Sequence, residues 1–229
     1  MPPGVSIRLE SVTKSFDGGL VQALRGVSLE VAAGESVSIM GPTGCGKSTL
    51  LSLIGLLDAP DSGTLFLDGR PAAAFEPPED FRATRVGFVF QFHHLLPHLS
   101  VLENVELPLA GRVGRAAART RADEALKRVG LENRARTLAA RVSGGERQLA
   151  ALARSLVGAP DLVLADEPTG SVDSETGARI LALLEEWSST TSGTLILVTH
   201  DPAVATRCRR LVKMRDGAVV DAAAPAPTA

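Results

Sequence analysis

One stretch limits the possible folds more than any other: Gly41-Pro42-Thr43-Gly44-Cys45-Gly46-Lys47-Ser48, which fits G-x-x-x-x-G-K-[ST]. The pattern carries meaning only where a strand feeds it and a helix leaves it. Ser36 to Met40 reads as that short strand. From Lys47 onward Leu50, Leu51, Leu53, Ile54 and Leu57 recur at helical spacing, and the breakers Asp58-Ala59-Pro60-Asp61-Ser62-Gly63 stop them. Glycines at 41, 44 and 46 let the backbone curl so that successive N–H groups converge on phosphate oxygens. The helix N-terminus adds roughly +0.5 elementary charge at the same point. Lys47 is expected to reach the β- and γ-phosphates and the Ser48 hydroxyl to ligate Mg²⁺, with Thr49 closing the set of loop residues around a nucleoside triphosphate.

The rest of the chain alternates in the way such a loop requires. Val5 to Val12 and Val27 to Val31 read as strands, followed by a turn at 32–35; Thr64 to Leu67 and Val86 to Phe90 are further strands. Between Phe92 and Pro160 the character turns helical. Ala122, Ala125, Leu126 and Val129 form one apolar stripe, with Arg119, Arg121, Lys127 and Arg128 facing water; Leu149, Leu152, Ala153 and Leu156 form another. Leu162 to Ala165 is a buried strand, Glu175 to Trp187 a helix and Thr194 to Val198 a strand. This βα alternation predicts an α/β fold with a parallel sheet and an all-helical lobe inserted between two core strands. One domain over 1–221 is expected, its core at about 1–91 and 160–221 and its helical lobe at about 92–159. Residues 222–229, with no periodic face, read as a disordered tail. There is no internal repeat.

Composition excludes several classes. The 24 basic and 26 acidic residues leave a formal charge of −2, so there is no broad electrostatic case for nucleic acid. Apolar runs are short and interrupted, and the start lacks a signal-peptide pattern. A cytoplasmic chain with no span of its own is expected, meeting a membrane only through a partner. Cys45 and Cys208, the only cysteines, have no metal spacing and read as reduced, independent thiols, Cys45 as a small residue the loop tolerates.

Asp166-Glu167 ends the apolar strand 162–165, at the carboxyl edge where open α/β sheets place ligands. Asp166 is expected to hold Mg²⁺ and Glu167 to polarise the attacking water as general base. His200 follows the strand 194–198 at the same edge, placed to sense the γ-phosphate. Ser143-Gly144-Gly145-Glu146 is a capping box for the helix carrying Leu149, Leu152 and Leu156. A cap needs no paired glycines, however, and a bare helix N-terminus is an anion site. One phosphate loop being present already, the second site is read as serving the γ-phosphate held by another copy. His93, His94 and His98 make a poor metal set, since adjacent histidines point apart and Pro97 spoils helical geometry.

These segments together resemble one family, the nucleotide-binding subunits of ABC transporters, from about Ile7 to Val220. The resemblance implies a P-loop NTPase with a RecA-like parallel core, an antiparallel β lobe and the helical lobe. It also implies that Gln91 is the lid glutamine joining the Mg²⁺ site to the membrane subunit, Ser143-Gly144-Gly145 the signature segment, Asp173 the loop crossing the dimer interface, His200 the switch histidine and Phe16 the adenine-stacking aromatic. Gln91-Phe92-His93-His94-Leu95-Leu96-Pro97 and Ala165-Asp166-Glu167-Pro168-Thr169-Gly170 look like the lipoprotein-release (LolD-type) ATPases, whose relatives include the macrolide-export (MacB-type) and cell-division ATPases. An ATP-sandwich homodimer bound to an integral-membrane permease near Gln91–Pro97, on the cytoplasmic face of the cell membrane, is the implied assembly. Three positions depart from the pattern: Glu146 for the commoner glutamine, Leu149 for an arginine, and Ser171-Val172-Asp173 in place of the usual wording. The rival is a soluble ABC-type ATPase acting on nucleic acid or the ribosome, whose long coiled coils or second cassette the chain lacks.

Overall fold

The computed structural model describes residues 4–222. Its elements run β1 Ile7–Phe16, β2 Val21–Val31, β3 Ser36–Met40, α1 Lys47–Ile54, β4 Ser62–Leu67, β5 Arg70–Pro71, α2 Pro78–Arg85, β6 Val86–Val89, α3 Val101–Glu106, α4 Arg115–Arg128, α5 Gly144–Leu156, β7 Leu162–Asp166, α6 Ser174–Thr191, β8 Thr194–Thr199, α7 Pro202–Ala205, β9 Arg210–Arg215 and β10 Ala218–Ala222. Two sheets result. The first is antiparallel, in the order β2-β1-β4-β5. The second runs β10-β9-β3-β8-β7-β6, parallel from β9 to β6, with β10 antiparallel at one edge.

The central strands are near-continuous apolar runs because both faces are covered. Alternation within them assigns each side chain to one of two cores. Leu162, Leu164, Ile196 and Val198 join α1 and the antiparallel sheet. Val163, Ala165, Leu195 and Leu197 join the helical side, with Leu126, Leu149, Leu152 and Leu184. The second core stabilises the helical elements: α3, α4 and α5 leave the sheet after β6 and return at β7, its immediate parallel neighbour.

Parallel strands end on the same side, so the topology fixes the site. Met40, Val89, Asp166 and Thr199 close β3, β6, β7 and β8 at one edge, with Met40 opposite Thr199 and Asp166 opposite Val198. The phosphate loop, Gln91, the acidic pair and His200 therefore emerge side by side. Among the described residues no helix is long and apolar enough to cross a membrane.

Several boundaries differ from those expected. β1 continues to Phe16 because register shifts after Leu9 and Val12, with Ser11 at φ +48°, break the alternation that ends the readable strand. β2 begins six residues early, at Val21 rather than Val27, along a largely exposed stretch. Ala222 is no tail residue but the end of β10, paired with Val212; the rest of the expected tail, 223–229, lies outside the described residues.

Candidate functional site

The phosphate loop is wedged between three segments. Gly46 has φ +100°, and a Cβ there would stand 2.2 Å from Ala23 O of β2; one on Gly41 would stand 2.2 Å from Met214 O of β9. Both positions admit only glycine. Gly217 N donates to Cys45 O (3.1 Å), tying the loop to the β9–β10 turn. Pro42, Thr43, Gly44 and Ser48 are exposed, while Lys47 is buried and Thr49 half-buried. Lys47 Nζ donates to Gly41 O (2.8 Å) and Pro42 O (2.9 Å), so its ammonium is folded over the loop it belongs to. Cys45 differs from its exposed neighbours: its side chain belongs to the core, and its N–H donates to Pro42 O (3.3 Å) within the loop.

Across the sheet edge the Ser48 hydroxyl faces the Asp166 carboxylate closely enough to favour its charged form. Burial holds Asp166 above the usual carboxylate range; the Ser48 hydroxyl opposes this, the Glu167 charge adds to it and Lys47 counteracts it. Glu167 adopts φ +46°, a left-handed conformation rare for a long side chain, and its N–H donates to Val198 O (2.9 Å). Its carboxylate is held at both oxygens: Thr199 Oγ1 donates to Oε2 (3.2 Å) and His200 Nδ1 meets Oε1 (2.7 Å). His200 is exposed and Glu167 is not, so the imidazole links solvent to a sheltered carboxylate. Sequence reasoning missed Thr199; its one signal was its place between a buried strand and His200.

The Gln91 side chain lies over Gly170, and Gln91 O accepts from Ser171 Oγ (2.9 Å). The following loop is anchored to α5. Arg154 donates to His93 O and His94 O (2.8 Å each), and Arg147 Nε donates to His93 Nε2 (3.0 Å). Burial, with the neighbouring Arg147 charge, holds His93 below the ordinary histidine value, as an acceptor from arginine requires. Phe92 and Leu96 remain exposed. A second residue the sequence reading missed is Gln148 of α5, wholly buried. Its Nε2 donates to Phe90 O (2.8 Å) and Pro168 O (3.0 Å), one residue before Gln91 and one after Glu167.

Ser143, Gly144 and Gly145 sit apart from this edge, at the start of α5. The capping box forms: Glu146 N donates to Ser143 Oγ (3.1 Å) and Ser143 N to Glu146 Oε2 (2.8 Å), while Arg134 Nε holds Oε1 (2.8 Å). A Cβ on Gly144 would meet nothing within 4 Å, whereas one on Gly145 would lie 3.0 Å from Thr176 Oγ1. Thr176 in turn donates twice to Asp173, which caps α6. Thr176 thus links the Ser143 segment to Asp173 within a single chain. Phe16 is exposed at the end of β1 with Lys14 Nζ 5.5 Å from its ring, so it is no core residue. Leu149, where an arginine was the usual residue, is buried in the helical core.

Ser48, Asp166 and Gln91 supply hydroxyl, carboxylate and amide oxygens, the hard donors Mg²⁺ takes beside phosphate oxygens and water. Among the described residues no group of three or more His, Cys, Asp or Glu forms a metal cage. Mg²⁺ is bound through one or two carboxylates, so this donor set fits it.

The strand-loop-helix, the acidic strand end and the shared parallel edge define a P-loop NTPase. Residues 24–170 match the ABC transporter family model. The chain is 45% identical over 219 residues to the lipoprotein-releasing system ATP-binding protein LolD of Bordetella pertussis, covering 93% of this chain and 95% of that one. It is 44% identical over 223 residues to the uncharacterized ABC transporter ATP-binding protein YvrO of Bacillus subtilis, with the same coverage. Among solved structures it matches the dimeric structure of MJ0796, a bacterial ABC transporter cassette, at TM-score 0.88 and 40% identity over 95% of this chain and 97% of the other. The chain belongs to the ABC transporter family, as an ATP-hydrolysing nucleotide-binding subunit.

Proposed function

We propose that the chain powers a lipoprotein-releasing membrane complex from the cytoplasmic face of the cell membrane; the LolD relatives, named as ATP-binding proteins of a lipoprotein-releasing system, support the lipoprotein part of this reading. Two copies face each other across two ATP molecules. In each site one copy contributes Gly41 to Thr49, with Phe16 stacking on adenine, and the other contributes the Ser143 helix. Dimeric cassettes among the solved structures support this, one of them bound to ADP and Pi. The exposed face of Gly144 leaves the α5 N-terminus open to a phosphate from outside the chain. Asp173, on the neighbouring loop, lies at the same interface.

The observation that carries the hydrolytic reading is the carboxylate of Glu167, sheltered and gripped at both oxygens beside the phosphate loop. Glu167 takes a proton from the attacking water as its oxygen bonds to the γ-phosphorus and the bond to the ADP oxygen breaks. Ser48 and Asp166, with Gln91 nearby, would hold Mg²⁺, which would supply neutralising charge to the phosphate oxygens. His200, bound to Glu167 through Nδ1, offers Nε2 to the γ-phosphate. Phe92 and Leu96, exposed on a loop that Arg147 and Arg154 anchor to α5, offer the permease an apolar grip. The Bacillus subtilis relative's name fixes no substrate, so export of another molecule is the second reading.

Glu167→Gln tests the chemistry. It should bind ATP as the parent does while turnover falls by at least about 100-fold, as loss of a general base demands. Turnover at the parent's rate removes Glu167 as the base.

A further inference from the structure

We propose that Thr199 is a positioning residue for hydrolysis: its hydroxyl locks the Glu167 carboxylate into the orientation that activates water. This rests on Glu167 being the general base.

Thr199 is the last residue of β8, wholly buried, and opposite Met40 where β3 runs into the phosphate loop. Its hydroxyl has one proton to give. Oγ1 accepts from Asp201 N (3.0 Å), which occupies a lone pair and leaves the single hydroxyl proton for another acceptor. That proton is directed at Glu167 Oε2, 3.2 Å away. The neighbouring oxygen, Oε1, meets His200 Nδ1. In a continuing strand, residues 199 and 200 would point to opposite faces. Because β8 ends at Thr199 and the chain turns at His200, both reach the same carboxylate.

The two grips do different work. His200 is exposed, and its second ring nitrogen is turned toward the nucleotide in the proposed mechanism, so its hold on Oε1 changes as the phosphate leaves. Thr199 is shielded and tied to the backbone, so its hold on Oε2 stays constant. Held by the exposed imidazole alone, the carboxylate would rotate, and its bond to His200 Nδ1 would bend and weaken with it. A base displaced by about 1 Å from the in-line water loses rate without losing substrate. A purely local role, capping the turn through Asp201 N, would leave turnover independent of the hydroxyl.

Thr199→Val keeps the shape and removes the hydroxyl; Thr199→Ser keeps the hydroxyl and removes a methyl. The proposal expects Thr199→Val to lower kcat about 10- to 100-fold with KM for ATP within about twofold of the parent, and Thr199→Ser to retain most of the turnover. A second readout needs no turnover. The chain has four histidines, so ¹⁵N-histidine labelling with His200→Ala for assignment isolates the His200 Nδ1 resonance. Thr199→Val should move it toward that of a free imidazole and Thr199→Ser should leave it in place. An unmoved resonance in Thr199→Val overturns the proposal, as does equal loss of kcat in both variants. If Glu167→Gln turns over normally while the resonance moves as expected, the base assignment fails and the Thr199–Glu167 lock stands.

Discussion

Replacing Gln148 with leucine asks how tightly the helical lobe holds the two loops that carry the chemistry. Gln148 is wholly buried, and one amide nitrogen serves two carbonyls, Phe90 O at 2.8 Å and Pro168 O at 3.0 Å. Leucine has similar volume, so little cavity forms. Two carbonyls lose their donor, and a buried group left unsatisfied costs about 1–3 kcal/mol. Gln148 Oε1 has no hydrogen-bond partner among the described residues, so leucine also removes an existing cost of the same size. That relief offsets one of the two penalties and leaves about 2 kcal/mol of destabilisation. For a chain of this length the melting midpoint should fall by about 4–8 °C. Because the phosphate loop is untouched, ATP affinity should hold while kcat falls, since the segments before Gln91 and after Glu167 both lose their tether. Thermal melts and steady-state kinetics on one preparation measure both. A midpoint within 1 °C of the parent together with unchanged kcat would refute the reasoning.

Three further outcomes are expected. Asp166→Asn should abolish metal-supported hydrolysis yet melt at or above the parent at pH 7. The folded-state pKa of Asp166 is raised by burial, so ionising it there works against the fold; the difference should vanish below about pH 4, where the carboxyl is neutral folded and unfolded. Neither thiol should be alkylated in the folded protein at pH 8: Cys45 lies in the core, and burial pushes Cys208 up to about 11. Rapid labelling without unfolding, followed by mass spectrometry, would contradict that placement. Phe16→Ala should raise KM for ATP about 2- to 12-fold, the worth of one aromatic stack, with kcat little changed; an unaltered KM would mean the ring does not meet adenine.

What the sequence makes legible follows from how locally each feature is encoded. The phosphate loop and its flanks need only adjacent residues, and β3 and α1 begin where the pattern places them. The stripes on α4 and α5 are readable because their apolar residues face one core. α2 escapes notice because Phe81 is its single buried residue and makes no stripe. β9 is disguised by Arg210, a charged residue at a core position that its buried pairing with Glu35 (2.9 Å) and its bond to Glu30 O (2.5 Å) reconcile with a strand. Asp166, Glu167 and His200 stand out as polar residues at the ends of apolar strands. Thr199 and Gln148 do not, since their roles depend on which carboxylate and carbonyls the tertiary fold brings to them.

Light scattering on Glu167→Gln, with and without ATP, puts the shared site to its most direct test. A particle of one-chain mass should double on adding ATP, and Ser143→Arg in the same background should abolish the doubling. One-chain mass at saturating ATP, with the parent protein hydrolysing at a rate independent of its own concentration, would mean that a single chain completes its own site.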